Sequence, residues 1–136
     1  MDRQPSGITH IVAFRYRPST TDEQRAEVLN RFLALKEGCK RAGENYIVSL
    51  TGGDCTGSPE GLTAGFQQAF IVTFKDRGDF EYYLGAPFAS PFDPAHDKFK
   101  KFAIPLLSVD EQGNTNGAMV FDFCHTNGLM SAGGYR

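Results

Sequence analysis

Large apolar residues alternate with small or polar ones in four stretches of the chain and recur at helical spacing in others. In "ITHIVAFRY", Ile8, His10, Val12, Phe14 and Tyr16 share one face, and Thr9, Ile11, Ala13 and Arg15 share the other. That period of two predicts a strand, which Pro18 ends. "NYIVSLTGG" predicts a second strand with Tyr46, Val48 and Leu50 together. "FQQAFIVTF" predicts a third, with Phe66, Gln68, Phe70, Val72 and Phe74 on one face and Gln67, Ala69, Ile71 and Thr73 on the other. "AMVFDF" is the last strand. Between the first two strands, Thr21 is followed three residues later by Gln24, a capping-box pattern that satisfies orphan amides at a helix start. Val28, Leu29, Phe32, Leu35 and Cys39 then recur at helical spacing, with Gly38 or Gly43 to end the run. A second helix is predicted to begin at Asp76 or Asp79. Pro87, Pro91 and Pro94 bar its continuation, and helix restarts at Pro94 and runs as far as Pro105.

The order is β-α-β-β-α-β, which predicts an α+β, ferredoxin-like fold with an antiparallel sheet. The face of large residues is expected to pack on the helices. The other face still carries Ile11, Ala13, Ile47, Ala69 and Ile71, too apolar for open water. Covering it with the same face of a second copy resolves the exposure symmetrically, so a homodimeric α/β barrel is expected. Residues 8–123 form the expected domain, 1–7 an N-terminal segment and 124–136 a Gly-rich tail.

Composition narrows the function classes. The 136 residues suit one domain, and 12 phenylalanines in a 40% hydrophobic chain support a real core. A net charge of −2 gives no electrostatic reason to bind nucleic acid. Lys98, Lys100 and Lys101 form a short basic run flanked by Asp93 and Asp97, read as a solvated helix face. Three cysteines, Cys39, Cys55 and Cys124, lack CxxC spacing, which speaks against a disulfide framework or zinc site, and Cys39 reads as a small buried hydrophobe. Neither a signal peptide nor an apolar run of membrane length is evident, so a cytoplasmic protein without membrane association is expected. "TGGDCTGSPEG" lacks the lysine of a P-loop, GxSxG is absent, and Cys124 and the adjacent His125 would point to opposite strand faces.

The candidate chemistry lies in "EYYLGAPFASPFDPAHDKF". His10 shares a strand face with Val12 and Phe14 and should point at the helices. His96 precedes Phe99 by three residues and Phe102 by six, which aims it inward. Two imidazoles and a phenol would then meet in an aromatic cavity between sheet and helices. Burial favours the neutral form of histidine, which suits a general base. Asp93 is expected to cap the restarted helix, and Arg15 and Arg17 to face solvent.

"THIVAFRYRPSTTDEQ", "FIVTFKD", "YYL" followed by "PAHDKF", and the closing "VFDF" resemble the stress-responsive dimeric α/β-barrel (Dabb) family over residues 8 to 123. Within it, the resemblance is to polyketide cyclases of the olivetolic acid cyclase type. There a tyrosine precedes a His-Pro-Ala-His segment whose second histidine is the acid–base group of an intramolecular aldol condensation. Pro94, Ala95 and His96 match that segment, with Asp93 in place of its first histidine. Tyr83, followed by Leu84, matches the tyrosine, with Tyr82 the adjacent possibility. His10 aligns with a strand-one histidine facing the same pocket, and Val28, Leu29, Phe32 and Phe70 with its apolar wall. The insertion "GAPFASPF" falls between the two catalytic groups, where it either bulges outward or reshapes the pocket.

The resemblance implies a cofactor-independent cyclase, isomerase or lyase acting on a polyketide-like or phenolic small molecule. His96 would move the proton, Tyr83 hold the oxyanion, and His10 orient the substrate or partner the base; no metal or organic cofactor is required. The alternative is a non-catalytic dimeric barrel that binds a hydrophobic ligand or acts in stress tolerance. Cavity space separates them: if Phe32, Phe70 and Phe102 fill the gap between sheet and helices, the enzyme reading fails.

Overall fold

The computed structural model describes residues 7–126, so most of the N-terminal segment and of the Gly-rich tail lies outside the described residues. Four strands form one antiparallel sheet: β1 (Ile8–Phe14), β4 (Ile47–Asp54), β5 (Gln68–Phe74) and β6 (Ala118–Cys124), in the order β4-β5-β1-β6. A two-stranded ribbon, β2 (Lys40–Arg41) and β3 (Glu44–Asn45), stands apart from it. The helices are α1 (Asp22–Gly38), α2 (Arg77–Leu84) and α3 (Pro94–Ala103), the last continued by a 3-10 turn over Ile104–Leu106. This is the expected ferredoxin-like α+β arrangement.

The local chemistry accounts for the element ends. Thr21 accepts from the Gln24 amide while the Gln24 side chain accepts from the Thr21 amide, a complete capping box. Asp76 caps α2 through the Asp79 amide. Asp93 caps α3 through the Ala95 amide, and Pro94 occupies the first helical turn, where its missing N–H costs nothing.

The inner face of the sheet carries Ile8, His10, Val12 and Phe14 of β1 and Gln68, Phe70, Val72 and Phe74 of β5, all buried. Val28, Phe32 and Leu35 of α1 close over them, with Phe80, Tyr83 and Phe99 from the other helices. Each such apolar side chain contributes about 1.5–3 kcal/mol when fully buried. Gly52 is required by this packing, because a Cβ there would collide with the Phe70 ring across the strand pair.

One pattern departs from simple alternation. The pairing of β4 with β5 shifts between Ile47 and Ser49, so Ile47 and Leu50 face Phe74 and Val72. Ile47 is therefore core rather than outer face, and Val48, expected inside, is exposed. A bulge of this kind inserts one unpaired residue and flips the parity of all that precede it. The outer face keeps Ile11 and Ile71 paired across β1 and β5, and Ile11 opposite Phe121 on β6. Ile71, Met119, Phe121 and Phe123 are exposed on this face.

Candidate active site

The end of α2 and the start of α3 are tied together above β1. His96, in the first turn of α3, donates from Nδ1 to the Tyr83 carbonyl at 2.6 Å. A carbonyl oxygen only accepts, so Nδ1 carries the proton and Nε2 keeps a lone pair. The imidazole stacks on the Tyr83 ring with centroids 3.6 Å apart and planes 11° from parallel. Burial lowers the His96 pKa to about 4, opposed by the Tyr83 carbonyl and assisted by the charge of Lys100. His96 is thus a neutral base at ordinary pH.

Tyr83 is 1% exposed, and its hydroxyl has no hydrogen-bond partner among the described residues. Burial raises its pKa well above the usual phenol value, so it is a neutral donor with no acceptor. An unsatisfied buried hydroxyl costs about 1–3 kcal/mol, and such groups in a folded protein call for an explanation.

His10 approaches the same ring edge-on, 5.8 Å from Tyr83 between centroids. Its Nδ1 lies 2.5 Å from Oδ1 of Asp122, the residue directly opposite on β6. A carboxylate oxygen accepts the Nδ1 proton, so Asp122 orients the ring and Nε2 makes no hydrogen bond among the described residues. Asp122 was not anticipated. Its one available signal is being the sole acid in the apolar strand "AMVFDFC".

His10, Tyr83 and His96 line a cavity of about 280 Å³ between sheet and helices. Val12, Phe14, Phe32, Phe99, Ala103 and Leu107 form apolar wall, and the more exposed side includes Phe88, Ile104 and Val120. The aromatic residues do not fill the interface. Phe32 stacks on Phe70 at 3.8 Å and meets Phe99 edge-on, while Phe102 lies outside under the Arg31 guanidinium at 4.0 Å. The space beside α3 stays open.

The inserted segment leaves the pair together. Phe88 and Ala89 amides both donate to the Gly85 carbonyl, and the Asp93 amide donates to Tyr82 O at 3.1 Å, closing the excursion at its base. Phe88 alone of 85–92 lines the cavity. Gly85, with φ +94°, makes the sharp exit from α2 that a side chain would resist.

Of the other sequence-derived site residues, Phe32 lines the cavity. Val28, Leu29 and Phe70 pack in or against the core, Phe70 behind Phe32. Tyr82 points away, donating to Lys40 O at 3.2 Å beneath Arg41. Asp93 caps α3 as expected and also accepts from the Tyr46 hydroxyl. Two expectations need correcting. Arg15 does not simply face solvent: it donates to Ala64 O and Asn116 O, both at 2.7 Å, and covers Phe66, clamping two loops. Lys100 does not belong to a solvated face either, because it lines the cavity and donates to Leu84 O at 2.8 Å. Among the described residues no cluster of His, Cys, Asp and Glu could hold a metal, and no helix is long and apolar enough to cross a membrane.

Comparison with known proteins bears on this arrangement. No protein with a curated description matches the sequence significantly. The fold is similar to a hydroxynitrile lyase from Passiflora edulis, at 18% identity and a TM-score of 0.69, covering 90% of this chain and 96% of that one. It is also similar to dimeric ferredoxin-like proteins of unknown function. One, from Jannaschia sp. CCS1, has 14% identity, a TM-score of 0.62 and coverage of 86% and 97%. Another, from Thermobifida fusca, has 19% identity, a TM-score of 0.60 and coverage of 92% and 96%. The sequence model of the stress responsive A/B barrel domain, Dabb, matches residues 8–124, from the first residue of β1 to the last of β6, and the chain belongs to that family.

Proposed function

We propose that the protein is a cofactor-independent enzyme that makes or breaks a carbon–carbon bond next to an oxygen-bearing carbon, a cyclase or lyase driven by His and Tyr. The observation that carries this reading is Tyr83, whose ring stacks on His96 and meets His10 edge-on, with both imidazoles tied through Nδ1 and its own buried hydroxyl without a partner among the described residues. Such a set is costly as mere core and has what proton-transfer chemistry needs.

In the condensing direction, Nε2 of His96 takes a proton from the carbon beside a substrate carbonyl, and the C–H electron pair becomes the enolate. The Tyr83 hydroxyl donates to the enolate oxygen as charge develops. The enolate carbon attacks a second carbonyl carbon of the same molecule, and the His96 imidazolium returns its proton to the resulting alkoxide. His10, held by Asp122, orients the substrate by accepting from the hydroxyl so formed through Nε2. In the cleaving direction the base removes the proton of a hydroxyl, the C–C bond breaks to leave a carbonyl, and the departing carbanion is protonated. The hydroxynitrile lyase similarity favours trying the second direction, and the Tyr83 and Pro94-Ala95-His96 match to polyketide cyclases the first.

The apolar outer face, together with the dimeric description of the Jannaschia and Thermobifida relatives, supports a homodimer with sheets face to face. Light scattering should give twice the chain mass, and Ile71→Asp should yield monomer. The activity test is a screen of aromatic cyanohydrins and poly-β-ketone chains. Turnover should fall about 10²–10³-fold in Tyr83→Phe, the usual cost of one oxyanion donor. A wild type inert toward both substrate classes, yet binding apolar ligands, would instead support a non-catalytic binding barrel.

A further inference from the structure

We propose that Lys100 is the recognition residue for a carboxylate on the substrate, so that the substrate class is small, largely apolar acids whose carboxylate lies about one helical turn from the reacting carbon. The assignment rests on the catalytic reading of the cavity for the word substrate, but its binding test does not.

Lys100 follows His96 by four residues on α3, which places both on the same helix face about 5–6 Å apart at Cβ. Both line the cavity. The Lys100 ammonium has three donor hydrogens, and one is taken by the Leu84 carbonyl at the end of α2. Among the described residues it makes no ion pair, whereas the adjacent Lys101 reaches Asp97 at 3.0 Å. The wall around it is apolar, from Leu84, Phe88, Ile104 and Val120. A half-buried cation with donors to spare, set in apolar surroundings, favours an anion over water.

The ammonium acts as a point charge rather than a planar fork, which suits one compact carboxylate. The volume, about 280 Å³, lies at the small end for ligand cavities, so an acid of modest size fits. Gly85 adds room: a Cβ there would stand 3.4 Å from the ammonium. The competing explanation is that Lys100 only caps the C-terminus of α2, a role that needs a donor but gives no preference for acids.

The test is calorimetric binding of hydrocinnamate and hydrocinnamyl alcohol, which share a skeleton and differ in charge. The wild-type chain should bind the acid about tenfold more tightly than the alcohol. Raising ionic strength should weaken the acid alone. Lys100→Gln keeps a donor for the Leu84 carbonyl but removes the charge, and should erase the preference; Lys100→Arg should keep most of it. His96→Ala should leave the acid-to-alcohol ratio in place, which separates this assignment from the fate of the catalytic one. Equal affinity of the wild type for both probes, no binding of either, or a preference that survives Lys100→Gln would overturn the proposal.

Discussion

Under α1, Phe32 lies flat on Phe70, centroids 3.8 Å apart. Under α2 and α3, Tyr83 lies flat on His96 at 3.6 Å. The two stacks are alike in geometry and both are buried, yet their surroundings differ. The phenylalanine pair packs against Phe14 and Phe99 and carries no polar atom, with Phe32 giving the cavity only apolar wall and Phe70 none. The tyrosine–histidine pair borders open space, holds an imidazole with one free nitrogen, and leaves a hydroxyl unpaired. One end of the helix–sheet interface is therefore wholly apolar and serves stability. The other gives up packing and hydrogen bonding, a pattern that marks sites where function competes with stability.

If that division is right, the two stacks should fail differently when cut. His96→Ala should lower turnover about 10²–10⁴-fold, the range for losing a general base, while the circular dichroism persists. Phe32→Ala should do the converse. Removing a fully buried phenylalanine costs about 3–5 kcal/mol, read as a lower urea midpoint, with the residual folded fraction still turning over. A His96→Ala protein that unfolds outright would make the second stack structural and erase the contrast.

The comparison also explains what could be read from the chain. Alternation in β1 and β5 and the Thr21–Gln24 box are local signals, and they led to the right fold. His10 and His96 were placed inward by parity and by helical spacing to Phe99, both local inferences. What failed was non-local or conformationally rare. The bulge at Val48 flips strand parity without any Gly or Pro to mark it. The β2–β3 ribbon turns at Ala42 and Gly43, both at positive φ, and alanine in that position is no turn signal. Asp122 matters only through its register opposite His10, which no short stretch encodes. Lys100 looked like one of three surface lysines until the end of α2 supplied its acceptor.

A smaller effect separates the stacks by pH. His96 has a pKa near 6.5 when unfolded and about 4 when folded. Between those values the unfolded chain binds the extra proton, so stability rises with pH. The contribution is complete above about pH 6.5 and is lost as pH falls toward 4, on the order of 3 kcal/mol in all. Urea titrations of wild type and His96→Ala across that range should diverge, with the flatter curve in the variant. Phe32→Ala should run parallel to wild type, since it removes no titratable group. The acid limb of turnover should lie lower, near pH 4, because the folded His96 stays neutral and able to accept a proton down to that point.

The smallest expected change is the most particular to the second stack. Tyr83→Phe deletes the hydroxyl that has no partner among the described residues and leaves the ring on His96. Deleting a satisfied hydroxyl destabilises, but here the folded state stops bearing a desolvation cost and loses no bond. The variant should gain about 1 kcal/mol over wild type in urea while losing turnover. The gain must be compared with Tyr46→Phe, where the hydroxyl donates to Asp93 and its removal strips a buried carboxylate of a partner. That variant should lose stability instead. Opposite signs for the two substitutions would show that the Tyr83 hydroxyl is held against the interest of folding. Equal losses would mean that Tyr83 has a partner after all and that the two stacks differ less than their polar atoms suggest.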